Sequence, residues 1–303
     1  MSPTLVVITG PTAVGKTTLC VDLAQHFNTE IVNADSRQFF KELSIGTAKP
    51  TVEEMQGVVH HFVNSLSISQ TYNATNYEHD VLSLLNQLFK QYKIVILTGG
   101  SGLYIDAVCN GFDEDIPAGD ENLRKELEEL YNKYGIEVLQ QKLEQLDPNL
   151  YKTIDLNNVK RMYRAIEVCI LSQNSFSSLR VGKVQGRPFN ILKIALNRDK
   201  EELYSRINQR VDLMMQNGLL EEVKRVADYK NHNALKTVGY TELFNYLDNK
   251  ISLDEAVDKI KVNTRRYAKK QLSWFNKSND YKWFNPSEKE VLIEYIESKI
   301  LNN

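Results

Sequence analysis

The chain has 303 residues, enough to bury a substantial core in one large elaborated domain or in two domains of ordinary size, and its 42% hydrophobic and 25% charged content is that of a soluble globular protein. No run approaches the roughly 20 apolar residues of a membrane span, and the first strand-like segment lies too close to Met1 to leave room for a secretion signal, so a cytoplasmic protein is expected. The net charge of -2 conceals opposed blocks, with 5 Lys or Arg against 12 Asp or Glu over residues 113–155, 6 against 1 over 160–187 and 7 against 1 over 261–282; the basic blocks read as a localised polyanion surface or, more plainly, as solvated helix faces.

Leu5, Val6, Val7 and Ile8 form a strand-like run that leads into Gly10, Pro11, Thr12, Ala13, Val14, Gly15, Lys16 and Thr17, a complete Gly-x-x-x-x-Gly-Lys-Thr phosphate loop, with a helix from about residue 17. The two glycines let successive N–H groups converge on one anion at the positive end of that helix. Lys16 adds a mobile charge, and the Thr17 hydroxyl is placed to ligate Mg2+. A second strand over residues 30–33 ends close to Asp35, whose carboxylate then faces the ligand side of the sheet and can accept a proton from a nucleophile, or else caps the turn.

After a loop through Gly46, Thr47, Ala48, Lys49 and Pro50 comes a short strand at 60–63, where adjacent His60 and His61 point to opposite faces, against a shared metal. A helix over 77–91 carries Val81, Leu84, Leu85, Leu88 and Phe89 at helical spacing, and a buried strand at 94–97 runs into Thr98, Gly99, Gly100, Ser101 and Gly102. Glycines there allow close approach of a ligand, and the Ser101 hydroxyl can bond a diphosphate oxygen or orient a substrate. This alternation predicts an α/β fold, a P-loop-type parallel sheet flanked by helices, with the loops after Ile8, Asn33 and Leu97 facing one crevice. No acidic residue ends the last of these strands, where a Walker NTPase places its metal-linked Asp; ATP hydrolysis is disfavoured, while a small-molecule kinase stays open.

From about residue 119 to 178 the pattern turns helical, over 121–134, 135–146 and 159–172 with a break at Asp147-Pro148, and an all-helical insertion domain is assigned to 116–189 between core segments 1–115 and 190–303. Lys160, Arg161 and Arg164 share helical spacing. A strand at 191–196 returns to the sheet, followed by helices over 201–217, 219–228 and 254–275, with a loop around Val238, Gly239 and Tyr240. On the last of these helices Arg265 and Lys269 fall on one stripe by spacing and Arg266 and Lys270 on another, and Gln271, Trp274 and Phe275 offer amide and aromatic surface suited to RNA. The short tail beyond Trp283 carries no reading. Cys20, Cys109 and Cys169 are odd in number and lack Cys-x-x-Cys spacing, which speaks against a disulfide framework or a zinc site.

Taken in order, the phosphate loop, Asp35-Ser36-Arg37-Gln38, the Ile45 to Pro50 loop, Gly99 to Tyr104, Arg161 to Glu167, Val238-Gly239-Tyr240 and Lys270 to Phe275 resemble the tRNA dimethylallyltransferase family over nearly the whole chain. The resemblance implies transfer of a dimethylallyl group from dimethylallyl diphosphate to N6 of the adenosine 3' of the anticodon, with Asp35 as general base and Ser101 where the family more often has Thr. It implies that Thr12 to Thr17 hold the diphosphate with Mg2+, Lys16 offsetting the charge that develops as the carbon–oxygen bond breaks. It implies contacts to the tRNA anticodon stem-loop from Asp35, Ser36, Arg37 and Gln38, from Lys160, Arg161, Met162, Tyr163 and Arg164, from Lys236, Gly239 and Tyr240, and from Arg265, Arg266, Lys269, Lys270 and Gln271, Lys270 standing where the family usually has Arg. Neither a membrane nor an obligate protein partner is implied. The rival readings are a P-loop small-molecule kinase, usually much shorter; a relative that prenylates a free adenine nucleotide; and a non-catalytic RNA-binding protein, which would leave the phosphate loop and Asp35 without purpose.

Overall fold

The computed structural model describes residues 2–113, 115–180 and 186–301. Two compact units are present, one made of residues 1–109 with 187–303 and the other of residues 110–186. Residues 181–185 of the first basic block, 160–187, lie outside the described residues.

In the larger unit β1 (Thr4–Thr9), β2 (Ile31–Asn33), β3 (His60–His61), β4 (Ile94–Gly99), β5 (Asn190–Leu196) and β6 (Lys282–Phe284) form one sheet in the order β3-β2-β4-β1-β5-β6, all pairs parallel. Every residue of β1 is buried, because a parallel sheet is covered on both faces. Alternation divides its side chains: Val6 and Ile8 join Ile96, Ile194 and Leu196 against helix Lys16–His26, while Leu5 and Val7 join Val95 and Leu97 against helix Ala74–Leu88. A third core, around Val211, Leu219, Leu243 and Ile260, binds helices Lys200–Gln216, Leu219–Arg225, Tyr240–Leu247 and Leu253–Phe275 to one another.

Several boundaries move for identifiable reasons. The helix expected from 77 begins at Ala74, because the Asn73 side chain accepts from the N–H groups of Thr75 and Asn76. The expected 60–63 strand stops at His61, since Phe62 and Asn64 adopt positive φ. The tail beyond Trp283 is part of the core: β6 ends at Phe284, and helix Lys289–Leu301 buries Leu292 and Ile296. Tyr240 begins a helix instead of lying in a loop.

The smaller unit packs helices Glu121–Tyr134, Glu137–Leu146 and Val159–Ser172 around Leu127, Leu139, Leu143, Met162, Ala165 and Ile166. The Asp147-Pro148 break is the start of a short helix, with Asp147 accepting from Leu150 N–H and Pro148 in the first turn, where no N–H is missed. No helix among the described residues is long and apolar enough to cross a membrane.

Candidate active site

β1 delivers the chain into the phosphate loop, and the loop's carbonyls are tied down from several sides. Lys16 Nζ donates to the carbonyls of Gly10 and Pro11 at 2.9 and 2.8 Å, Arg198 Nε donates to Val14 O at 2.7 Å, and Arg206 Nε donates to Ala13 O at 2.9 Å. Gly10 and Gly15 have φ of 146° and 108°, and Ala13 holds a positive φ of 63°, so the turn needs its glycines at both ends. Helix Lys16–His26 starts without a side-chain cap, leaving its first N–H groups at the loop, the arrangement that receives an anion. Loss of water around the ammonium lowers the Lys16 pKa from 10.5 to about 8, with Asp35 pulling in the opposite direction.

Asp35 lies just beyond β2. Its Oδ1 accepts from Arg37 N–H at 3.0 Å, so it caps the turn, and it also lines the same crevice as Lys16, Thr17, Thr98 and Gly99. Ser101 Oγ accepts from Ser36 N–H at 3.0 Å and donates to Ser36 Oγ at 3.1 Å, which joins the β4 turn to the Asp35 loop. Thus the loops after β1, β2 and β4 meet. Tyr267, which carries no motif signal, is exposed along its ring but has its hydroxyl beside Ser101 and Asp35; loss of water around that hydroxyl first and the Asp35 charge second push its pKa up. Cys20, in the same crevice, donates to Thr98 Oγ1 at 3.2 Å, and burial pushes its thiol up to about 12.

The glycines of the β4 turn serve a purpose other than ligand approach. A Cβ at Gly99 would lie 2.4 Å from the Ala34 backbone, at Gly100 2.1 Å from Gln271 Nε2, and at Gly102 2.4 Å from the Trp274 ring. They admit the neighbouring strand and helix Leu253–Phe275.

A cavity of about 600 Å³ opens beside the phosphate loop, within the range of small-ligand sites. Thr12, Ala13, Gly15, Lys16, Thr17 and Asp35 meet Arg206 and Arg210 there, together with apolar Ile45, Leu213 and Met214. The two arginines carry no motif in the sequence, where they sit in an ordinary amphipathic helix; spacing by four puts them on one face. Burial lowers the Arg210 pKa while Asp35 acts against that shift. The far wall, the Ser44 to Lys49 loop, hangs on buried Glu222, which accepts from the N–H groups of Ser44, Ile45 and Gly46 at 3.0, 2.9 and 2.9 Å and from Tyr240 OH at 2.6 Å. Among the described residues no three His, Cys, Asp or Glu gather to hold a metal. The Thr17 hydroxyl and the Asp35 carboxylate do line one crevice, a sparse oxygen set that fits Mg2+, which keeps most of its ligands as water and substrate phosphate oxygens.

The sequence profile described as IPP transferase matches residues 38–278, a span that begins after the phosphate loop and is therefore independent of it. The chain belongs to the IPP transferase family. This member is 47% identical over 294 residues to tRNA dimethylallyltransferase 1 of Bacteroides thetaiotaomicron, with 97% of this chain and 95% of the relative covered. It is 48% identical over 299 residues to the tRNA dimethylallyltransferase of Flavobacterium johnsoniae, with 96% of each covered. The crystal structure of the full-length tRNA isopentenylpyrophosphate transferase of Bacillus halodurans matches with a TM-score of 0.74 at 35% identity, covering 99% of this chain and 97% of that one.

In this IPP transferase several residues expected to touch RNA are committed elsewhere. Tyr240 is fully buried against Gly46 with its hydroxyl on Glu222, and buried Gly239 donates its N–H to Glu242. Met162 is 0% exposed in the core of the smaller unit, and Arg164 donates to Glu167 and Pro117 O, both at 2.6 Å. Tyr163 is half-buried with its hydroxyl shielded. Gln271 is buried between Thr12 and Gly100. Arg265 donates to Asn208 and lies over the Tyr204 ring, and the Trp274 indole N–H donates to Asp106. Arg37 reaches Asn233 O, and Gln38 donates to the carbonyls of Thr47 and Ala48. Lys160, Arg161, Lys236, Arg266, Lys269 and Lys270 are exposed. Of the two adjacent histidines, His61 pairs with Glu30 at 2.6 Å and His60 meets Val58 O at 2.9 Å.

Proposed function

We propose that the protein transfers the dimethylallyl group of dimethylallyl diphosphate to N6 of the adenosine 3' of the anticodon in tRNA and releases diphosphate. The observation that carries this reading is the placement of Asp35 in one crevice with Lys16 and Thr17, beside a cavity that is cationic at Arg206 and Arg210 and apolar at Ile45, Leu213 and Met214. An allylic diphosphate has those two characters, an anionic head and a short hydrocarbon tail. The family membership and the full-length relatives support the same assignment.

On this reading the N6 lone pair forms a bond to C1 of the allyl group as the C1–O bond breaks, its electron pair leaving on the diphosphate. Asp35 takes the N6 proton, since an amine conjugated with the purine is a poor nucleophile until that proton departs. Loop N–H groups, Lys16 and Arg210 receive the charge that builds on the leaving oxygens. Ser101 fixes the Ser36 and Asp35 segment through its two hydrogen bonds. Mg2+, held through Thr17 and the diphosphate oxygens with Asp35 at hand, would supply further charge neutralisation. The base must be lifted from its stack to reach Asp35. A tRNA substrate places this work in the cytoplasm. The test is incubation with unmodified tRNA, dimethylallyl diphosphate and Mg2+ followed by nucleoside analysis; ATP with shikimate-type or nucleotide acceptors is the control for a kinase.

A further inference from the structure

Helix Leu253–Phe275 has one exposed basic face, with Arg266, Lys269 and Lys270, and one buried face formed by Ala268, Gln271 and Phe275. Gln271 is 5% exposed and makes two hydrogen bonds to segments remote in sequence: its Oε1 accepts from Thr12 N–H at 2.8 Å, and its Nε2 donates to Gly100 O at 2.9 Å. One carboxamide therefore spans the phosphate loop and the β4 turn. That turn in turn fixes Ser36, next to Asp35, through Ser101. The fit is close, since a Cβ on Gly100 would sit 2.1 Å from Nε2. Lys270 adjoins this residue in the chain, and Lys269 and Arg266 lie within the two preceding turns, so any ligand that fixes the basic face also fixes the rotation and height of the Gln271 side chain.

We propose that Gln271 is a positioning residue that couples RNA docking on the basic face of this helix to the geometry of the phosphate loop. The inference rests on the RNA reading given above. Held by RNA phosphates, the helix keeps the carboxamide between Thr12 and Gly100, and the ordering of the loop is then already accomplished when the diphosphate arrives. Linkage requires the reverse as well: diphosphate in the loop tightens RNA binding by the same factor.

The experiment titrates inorganic pyrophosphate with Mg2+ into the full chain, with and without a saturating anticodon stem-loop RNA. It uses the wild type, Gln271→Leu, Gly100→Ala and the double variant. Leu is close to Gln in size and makes neither bond, whereas the Ala methyl displaces the carboxamide from the other side without altering Gln271. RNA should tighten pyrophosphate binding at least about fivefold in the wild type. That gain should fall below about twofold in each single variant and no further in the double variant, while RNA binding alone stays within about twofold. A purely structural role would weaken pyrophosphate equally with and without RNA. Full gain in both single variants, or RNA binding without any gain in the wild type, overturns the proposal. Failure of RNA to bind the wild type overturns the RNA reading itself.

Discussion

Replacing Asp35 by asparagine separates its chemical role from its structural one. Asp35 Oδ1 accepts from Arg37 N–H at 3.0 Å, and Asn33 Oδ1 accepts from Asp35 N–H at 3.2 Å. In the Asp35→Asn variant the carboxamide retains an oxygen for the Arg37 contact, worth about 1 kcal/mol, so stability should change by less than about 1 kcal/mol. What is lost is a base, and general-base loss costs about 10²- to 10⁴-fold in rate, or roughly 2.7–5.4 kcal/mol of barrier. Removing the carboxylate also withdraws the interaction that raises the Lys16 pKa, so that value drops further below its ordinary range; the assay is therefore run across a pH series below about 8, where a change in Lys16 protonation shows as a pH-dependent loss and the loss of a base does not. Single-turnover transfer to an anticodon stem-loop, at saturating dimethylallyl diphosphate, should slow at least about a hundredfold while RNA affinity is largely retained. Asp35→Ala should lose the same rate and, in addition, about 1 kcal/mol of stability from the uncapped turn. An Asp35→Asn protein that turns over within about threefold of the wild type, against the hundredfold scale of general-base loss, would refute the assignment.

Other expectations follow from the same geometry. Because burial lowers the Lys16 pKa to about 8, the ammonium loses its proton as pH rises through about 8, so affinity for the pyrophosphate–Mg2+ complex should fall above that value, with proton uptake on binding there; calorimetry in two buffers reads both, and an affinity unchanged as pH rises through about 8 contradicts the assignment. Glu222→Gln places an NH2 group where four donors point at a buried carboxylate, and should cost about 2–4 kcal/mol in urea unfolding; a loss under about 1 kcal/mol would show that the Ser44 to Lys49 loop does not depend on it. RNA affinity should drop steeply with salt, and Lys269→Ala with Lys270→Ala should reduce the slope by about 1 each, whereas Arg265→Ala, already engaged with Asn208, should change it little. Equal effects at all three positions would place Arg265 on the RNA face after all.

The parts of the fold legible in the sequence are those whose signal is local. The phosphate loop, β1 and β4 announce themselves by apolar runs ending in glycine, and helices Glu121–Tyr134 and Val159–Ser172 by their helical pattern. β6 and helix Lys289–Leu301 were not legible, because β6 has three residues and its burial comes from pairing with β5, far away in the chain. At the site, residue type gave Asp35, Lys16 and Ser101, but it gave no indication of direction. Gln271 and Trp274 look like RNA contacts in a basic helix; only packing shows that Gln271 turns inward onto Gly100, while Trp274 lies against Gly102 and stays exposed. Likewise Tyr240 reads as a loop aromatic until Glu222, 18 residues earlier, is seen to hold its hydroxyl. Arg206 and Arg210 lacked a motif, and their meaning comes from the cavity they share with the phosphate loop.

The most direct measurement is nucleoside mass analysis of an unmodified tRNA after incubation with the protein, dimethylallyl diphosphate and Mg2+. The account predicts N6-dimethylallyladenosine at the position 3' of the anticodon and one diphosphate released per group transferred. An unchanged tRNA, with phosphate instead passing from ATP to a small acceptor, would contradict it.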